Sequence, residues 1–184
     1  MATREVSVPR IDGGGDEAAA FNAFIAEHGP KLEDEQDETS DVSITARVED
    51  VTGGRISLSI NSWWYGHGAA HGNYDITYIH FLRGEKRILE ASDVFATDGW
   101  QEQLGKLALV KLDETIEGGI WEESRADAAV SAAQPERWNF TDAGLVIQYQ
   151  PYEVTAYAYG APTITIPWAQ LGEYVTEEAR YGLN

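Results

Sequence analysis

Residues 139–171 read NFTDAGLVIQYQPYEVTAYAYGAPTITIPWAQL, and this stretch decides the fold. Trp138–Phe140 and Leu145–Tyr149 are short apolar runs on either side of Thr-Asp-Ala-Gly, a sequence that favours a tight turn. We therefore predict a β-hairpin here. A further strand is predicted at Thr163–Ile166, and a closing helix is predicted at Trp168–Val175. The carboxyl-terminal part of the chain thus predicts antiparallel strands beside a helix.

Alternating apolar and polar residues predict further strands upstream. Val42–Val48 and Ile56–Ile60 alternate on either side of a Thr-Gly-Gly turn, which is typical of an antiparallel hairpin with one buried face. Asn73–Phe81 carries apolar groups on both faces, which is typical of a central strand. The turn Arg83–Lys86 then leads into a return strand at Ile88. We predict an α+β fold, an antiparallel β-sheet of about five or six strands with helices packed mainly on one face.

Helices are predicted outside these strands. The first begins with Asp16 as its N-cap, carries three apolar residues at helical spacing within 21–25, and ends at Gly29, which a proline follows. The best amphipathic helix covers Trp100–Leu112. An alanine-rich segment, 124–133, suggests one more helix before a proline.

Composition limits the classes of function. The chain has 184 residues, a net charge of −18 at pH 7 and no cysteine, and its length suits a single domain, residues 1–184. The missing cysteines exclude disulfides, thiol catalysis and cysteine metal sites. Nucleic acids are excluded as partners because their phosphates require clustered Lys and Arg. The acidic surface favours a cationic partner, although solubility alone is the simpler explanation of the charge.

The sequence carries no obvious targeting signal. No stretch reaches the roughly 18 to 20 uncharged apolar residues that span a membrane, and the N-terminus lacks a basic region followed by an apolar run. The protein is therefore either cytosolic, or a signal segment has been removed from it. The acidic run at 33–38 predicts a solvated loop or a ragged helix end, because it lacks the glycine and the ligand spacing of a calcium loop.

The first candidate site is the glycine-rich segment at 65–72, YGHGAAHG, which follows two tryptophans. Its glycines allow a folded-over connection between strands. Trp63 and Tyr65 could form an exposed aromatic platform beside His67 and His71, and aromatic faces bind sugar rings and anchor protein interfaces. The alternative is that the second tryptophan completes the inward face of its strand and that only one of its neighbours is exposed.

The two histidines of this segment do not predict a metal site. His67 and His71 are four residues apart, which on a helix would place both on one side of a metal ion, but the small residues between them argue against a helix. No acidic residue accompanies them at the spacing of a metalloprotease motif. We predict structural or interface roles, with His71 fixing the loop by hydrogen bonds, and neither a metal nor a cofactor. His28 and His80 are predicted to be structural.

Tyr152, Tyr157 and Tyr159 form the second candidate site. A tyrosine in a strand or turn normally buries its ring and finds a partner for its hydroxyl group, so core packing is the default interpretation. Because Gly160 and Pro162 follow closely, the rings could instead frame the mouth of a groove. Both interpretations stay open at the level of sequence.

Catalytic patterns are not evident. The sequence has no Gly-x-Ser-x-Gly nucleophile elbow, no phosphate loop and no dinucleotide fingerprint. A glycosidase needs two carboxylates that face each other across a cleft, and with 31 acidic residues a chance pair is easy to nominate. We therefore predict that the chain is not an enzyme.

The order of the motifs resembles a known family, the extracytoplasmic domain shared by RsiV-type anti-sigma factors and PdaC-type peptidoglycan deacetylases. Its signature is a Pro-Tyr-Glu turn, a Pro-Tyr-Ala-x-Gly element and an Ile-Pro-Tyr strand end, and two residues depart from it, with Ala156 in place of Pro and Trp168 in place of Tyr. The segment 65–72 is similar to the family's Tyr-x-Gly-Gly-Ala-His-Pro. The matching elements lie at Gln150–Val154, Ala156–Gly160, Thr165–Trp168, Gly68, Ala70, His71, Leu82, Gly84, Lys86 and Asp93–Phe95.

This resemblance covers residues 57–175 and leaves 1–56 as an N-terminal helix and first strand. It implies a binding module, because the deacetylases keep their catalytic residues in a separate domain. It further implies a periplasmic or extracytoplasmic recognition domain, with an RsiV-like binding of lysozyme or a related cationic wall-active protein. The alternatives are a peptidoglycan- or carbohydrate-binding accessory module, and an inhibitor or immunity-like protein that blocks a wall-degrading enzyme.

Overall fold

The computed structural model describes residues 2–32 and 39–181 of the chain, so the acidic run at 33–38 lies outside the described residues. These residues form eight strands and six α-helices, joined in part by short 3₁₀ turns. The strands are β1 (Arg4–Ser7), β2 (Ser40–Val51), β3 (Arg55–Gly66), β4 (Asn73–Leu82), β5 (Arg87–Ile88), β6 (Trp138–Thr141), β7 (Gly144–Gln148) and β8 (Thr163–Pro167). The helices are α1 (Asp16–His28), α2 (Ala91–Val94), α3 (Trp100–Thr115), α4 (Arg125–Ser131), α5 (Trp168–Leu171) and α6 (Glu177–Tyr181).

The larger sheet has five strands in the order β1-β2-β3-β4-β5. The predicted hairpin of β2 and β3 is confirmed, and β3 pairs in turn with β4 along almost its whole length, with Trp63 opposite Tyr74. Strand β1 is not expected from the sequence, and it pairs with β2 in parallel. A parallel pair needs no turn between its strands, so its sequence carries no hairpin signal.

Helix α1 covers one face of this sheet. Its apolar residues pack against alternate residues of β3 and β4, and Phe21 meets Phe81 edge to face with 5.7 Å between ring centroids. The helix begins at Asp16 with Gly15 as its N-cap, so the prediction of Asp16 as the N-cap is wrong by one residue. The first hydrophobic cluster consists of Phe21, Phe24, Ile25, Ile56, Leu58 and Phe81.

The smaller sheet has three antiparallel strands in the order β6-β7-β8, and it confirms the hairpin predicted from residues 138–149. Helices α3 and α4 pack beside it around the larger hydrophobic cluster, which Trp138 and Tyr149 anchor. The polar atoms of both buried side chains form hydrogen bonds with backbone carbonyls of α4 or of its C-cap residue. Trp138 Nε1–H donates to the Ala132 carbonyl at 2.8 Å, and Tyr149 Oη–H donates to the Ala128 carbonyl at 3.0 Å. The helix predicted at 168–175 is shorter, since α5 ends at Leu171.

A buried polar seam joins the two sheets. Arg55 on β3 is fully buried, and its Nε lies 2.8 Å from Ser57 Oγ while its guanidinium carbon lies 5.1 Å from the ring centroid of Phe140. His80 on β4 continues the seam, with Nδ1 2.8 Å from Ser57 Oγ and Nε2 2.8 Å from the Trp138 carbonyl oxygen. The predicted structural role of His80 agrees with this placement.

The α+β class and the covering of the large sheet by helices are confirmed. The strands divide between two sheets, because β5 has only two residues and the chain then turns into α2 and α3 before β6 begins. The central position predicted for Asn73–Phe81 is correct only for the end of β4. Phe81 packs against α1 and the neighbouring His80 packs against β6, so both faces are covered there.

Candidate functional site

The glycine-rich segment forms the exposed connection between β3 and β4. Ala69 N–H donates to the Gly66 carbonyl at 2.9 Å, and the Tyr65 hydroxyl group donates to the Ala69 carbonyl at 3.1 Å. Gly68 has a φ of 95°, a conformation that side chains rarely adopt. The connection is thus folded over on itself, as its glycines predict, and His67 and His71 are both exposed.

The tyrosine-rich turn lies against the outer edge of β4. The Gln150 side chain binds both backbone groups of Ile76, since Ile76 N–H donates to Oε1 and Nε2–H donates to the Ile76 carbonyl, each at 2.7 Å. The Tyr157 hydroxyl group donates to the Gly72 carbonyl at 3.2 Å. These contacts fix the turn to the first half of β4, where β5 does not pair with it.

Aromatic rings from the two candidate segments meet at this junction. His71 stacks on Tyr157 with 4.4 Å between ring centroids, and Tyr152 stacks on the same tyrosine at 5.1 Å. Trp63 stacks on Tyr65 at 6.3 Å, and Gly72 lies so close to the indole that an added Cβ would fall 2.6 Å from Trp63 Nε1. We call the resulting group the aromatic surface, and it consists of Trp63, Tyr65, His71, Tyr74, Tyr152 and Tyr157.

The structure brings four of the six predicted site residues into the aromatic surface, namely Trp63, Tyr65, His71 and Tyr157. His67 lies at its margin, with Nε2 3.3 Å from a carboxylate oxygen of Asp41. Tyr159 points away, and its hydroxyl group reaches the Glu117 carbonyl at 3.5 Å.

The default interpretation of core packing is wrong for two tyrosines of the turn. The exposed fraction is 47% for Tyr152 and 51% for Tyr159. The turn places these side chains outside the core, and Tyr152 has a φ of 66°, which is uncommon for a residue other than glycine. Tyr157 is half-buried beneath its neighbours.

Tyr74 belongs to the aromatic surface and Gln150 holds the turn beside it, and sequence reasoning missed both. Tyr74 stands opposite Trp63 in the pairing of β3 with β4, and its hydroxyl group would lie 3.3 Å from a Cβ at Gly160. The alternation of strand β4 places Tyr74 on a definite face, but only the register shows that this face is that of Trp63. No local signal marks Gln150, whose partner Ile76 is 74 residues away in sequence.

Charges around the aromatic surface are mostly negative or paired. The Thr3 backbone N–H, at 2.7 Å, and His67 hold the pKa of Asp41 below its ordinary value. Burial raises the pKa of Asp75, which follows Tyr74 on β4 and lies on the opposite face of that strand. Glu153 pairs with Arg137 at 2.8 Å beneath the turn. The surface can therefore stack on flat or apolar groups and accept hydrogen bonds from cationic ones.

Two further properties concern the described residues, 2–32 and 39–181. They contain no group of three or more His, Cys, Asp or Glu side chains that could hold a metal ion. None of their helices is both long enough and apolar enough to cross a bilayer.

Comparison with protein families gives one match. A model for a protein of unknown function, DUF3298, matches residues 92–169, which is less than half of the chain. The matched segment runs from α2 to α5 and includes the tyrosine-rich turn, whereas the connection between β3 and β4 lies before it. No curated protein matches the chain.

Two crystal structures of DUF3298 family proteins are similar to this fold. The first, from Bacteroides fragilis, has a TM-score of 0.61 at 22% sequence identity, and the alignment covers 88% of this chain and 64% of that one. The second, from Pseudomonas aeruginosa PAO1, has a TM-score of 0.60 at 19% identity and covers 88% of this chain and 70% of that one. The chain thus spans less than two thirds of the length of the Bacteroides protein.

These likenesses are consistent with the RsiV- and PdaC-type resemblance, which itself stays a prediction. At such low identity the solved structures show the fold alone. The chain is therefore similar in fold to DUF3298 family proteins, and residues 92–169 match the model of that family.

Proposed function

We propose that this chain is a non-catalytic recognition domain of the cell envelope, in a periplasmic or extracytoplasmic location, and that its aromatic surface binds a cationic wall-active protein of the lysozyme type. The observation that carries the proposal is the meeting of two distant segments in one exposed aromatic surface, through the stacking of His71 on Tyr157. Trp and Tyr are enriched among the residues that dominate binding energy at protein interfaces.

The surface is held in place before any partner arrives. Hydrogen bonds from the Gln150 and Tyr157 side chains hold the turn against β4 and the residue before it. Within the connection between β3 and β4, the Tyr65 hydroxyl group donates to a backbone carbonyl and holds the loop in its folded form. A surface that is already ordered loses less side-chain entropy on binding, and this raises the affinity that a given contact area provides. The ordered aromatic surface therefore supports a role in binding a partner protein, because such binding depends on a fixed contact area.

Charge supports the choice of a cationic partner. The net charge of −18 attracts positively charged proteins and accelerates their encounter, an effect that salt screens beyond about 8 Å at physiological ionic strength. The rings would then supply the short-range contacts that charge alone lacks. For the aromatic surface, the competing functions are glycan binding without a protein partner and inhibition of a wall-degrading enzyme.

A matched pair of tryptophan variants tests the proposal. Trp63 and Trp64 are neighbours with the same exposed fraction, 37%, but they lie on opposite faces of β3. We expect Trp63→Ala to weaken the binding of hen-type lysozyme at least about tenfold, which corresponds to about 1.4 kcal/mol of a lost interface contact. Trp64→Ala should leave the affinity unchanged, and isothermal titration calorimetry measures both.

Stopped-flow mixing at low and physiological salt tests the electrostatic part. The association rate constant should fall as salt rises, while the dissociation rate constant changes little. Equal weakening by both tryptophan variants, or no complex at either salt concentration, would overturn the assignment of the partner and its surface.

A further inference from the structure

The same face of the large sheet continues past the aromatic surface into a polar groove. The pairing of β2, β3 and β4 places Arg47, Ser59 and Tyr78 in one row across the sheet, and Thr45, Asn61 and Ile76 in the next row. The groove has a volume of about 380 Å³, which falls within the range of small-molecule sites, about 300–1,000 Å³. Its lining residues are Thr45, Arg47, Glu49, Ser59, Asn61, Ile76 and Tyr78.

From this arrangement we propose that the groove binds a saccharide that carries a carboxylate, with Arg47 on the carboxylate and the rings of Trp63 and Tyr74 at the end of the groove on the sugar. This site shares the rings of Trp63 and Tyr74 with the partner contact proposed above, and it adds the polar groove and Arg47, which that contact does not use.

The polar groups of the groove are available to a ligand. The side chains of Thr45, Asn61 and Tyr78 make no hydrogen bond to another residue within 2–32 and 39–181. Burial, and secondarily Glu49, raises the pKa of Tyr78, so its hydroxyl group keeps its proton and can donate. Hydroxyl, amide and phenol groups in two neighbouring rows provide both donors and acceptors, which is what a ligand with many hydroxyl groups requires.

Arg47 gives the groove its preference for a carboxylate. This arginine is exposed, and it has no ion pair or hydrogen bond to any described residue, in a protein with 31 acidic residues and 13 Lys and Arg. The nearest acid along the groove, Glu49, accepts a hydrogen bond from Ser59. A guanidinium binds a carboxylate through two parallel N–H donors, which gives both strength and a fixed orientation.

The aromatic end of the groove completes the site. Trp63 follows Asn61 by two residues on β3 and therefore lies on the same face, about 7 Å further along the strand. Tyr74 stands beside it on β4. Aromatic rings next to polar groups suit a sugar, which presents apolar C–H faces and polar edges together.

The experiment is an NMR titration of backbone amide shifts in the whole chain. Two acidic sugars, N-acetylmuramic acid and glucuronic acid, are compared with the neutral N-acetylglucosamine and with lactate. We expect at least one acidic sugar to shift the amides of β2, β3 and β4, and its affinity to exceed that of N-acetylglucosamine about tenfold or more, the effect of one charge-assisted contact. Whichever acidic sugar binds more tightly shows where on the ligand the carboxylate lies.

Charge-matched variants provide the control. Arg47→Gln should reduce the affinity for the acidic sugar about tenfold and leave N-acetylglucosamine unaffected, whereas Lys86→Gln, at the turn after β4, removes the same charge outside the groove and should change neither. Shifts that lactate alone reproduces, shifts elsewhere in the protein, or equal effects of the two variants would overturn the proposal. Arg47→Gln should not weaken lysozyme binding and Tyr157→Ala should weaken it, so failure of one site is distinguishable from failure of the other.

Discussion

At the scale of single residues, His80 makes folding depend on pH. Burial lowers its pKa from 6.5 to about 4, and the nearby Arg55 adds to the effect. Between these two values the unfolded chain binds a proton that the folded protein does not. The free energy of unfolding therefore falls as the pH drops from 6.5 to 4, by about 3 kcal/mol in total.

Urea unfolding at a series of pH values between 7 and about 4 measures this loss. The variant His80→Gln should be less stable at neutral pH, because the amide fills the seam less well, but its stability should change less across the same pH window. Carboxylates titrate in both proteins, so the difference between the two curves isolates His80. Parallel curves would show that the imidazole is not held neutral in the seam.

At the scale of elements, the Gln150 side chain forms the backbone hydrogen bonds with β4 that a neighbouring strand would otherwise form. It satisfies the N–H and the carbonyl of Ile76, both part-buried. We expect Gln150→Ala to destabilise the protein by about 1–3 kcal/mol, because two backbone groups lose their partners. Hydrogen exchange should show faster exchange of the Ile76 amide, and the exposed Gln170→Ala serves as the control. Unchanged exchange at Ile76 would mean that water replaces the side chain without cost.

The sequence predicts where helices and strands lie better than it predicts which distant strands pair with one another. The hairpin of β2 and β3 and the hairpin of β6 and β7 are evident because alternation and turn residues are local signals. The parallel strand β1 and the division into two sheets depend on contacts between distant segments, which leave no local pattern.

The same limit applies to the candidate site. Its aromatic residues can be nominated from composition and spacing, and Trp63, Tyr65, His71 and Tyr157 do lie together. Their contact arises because Tyr157 meets Gly72 across 85 residues of sequence, which no periodicity indicates. For this reason the sequence assigns Tyr74 to a strand but not to the candidate site.

At the scale of the whole molecule, the seam around Arg55 connects two hydrophobic clusters, and we predict that they unfold as one domain. In native-state hydrogen exchange, the amides of Leu58 in the first cluster and Ile147 in the second should then show the same free energy of opening. Arg55→Met should separate the two values, whereas Met in place of Arg125, which pairs with Asp113 at the surface, should not. A lower opening energy for Leu58 in the unmodified protein would indicate two independent units.

Arg55 also imposes a direction on the seam. A guanidinium can only donate hydrogen bonds, so Arg55 Nε–H donates to Ser57 Oγ, and the Ser57 hydroxyl group is left to donate to His80 Nδ1. The other ring nitrogen, Nε2, faces the Trp138 carbonyl oxygen and must carry the proton. The imidazole is thereby locked in a single tautomer, and the dipoles of the side chains align head to tail from the five-stranded sheet into the three-stranded one.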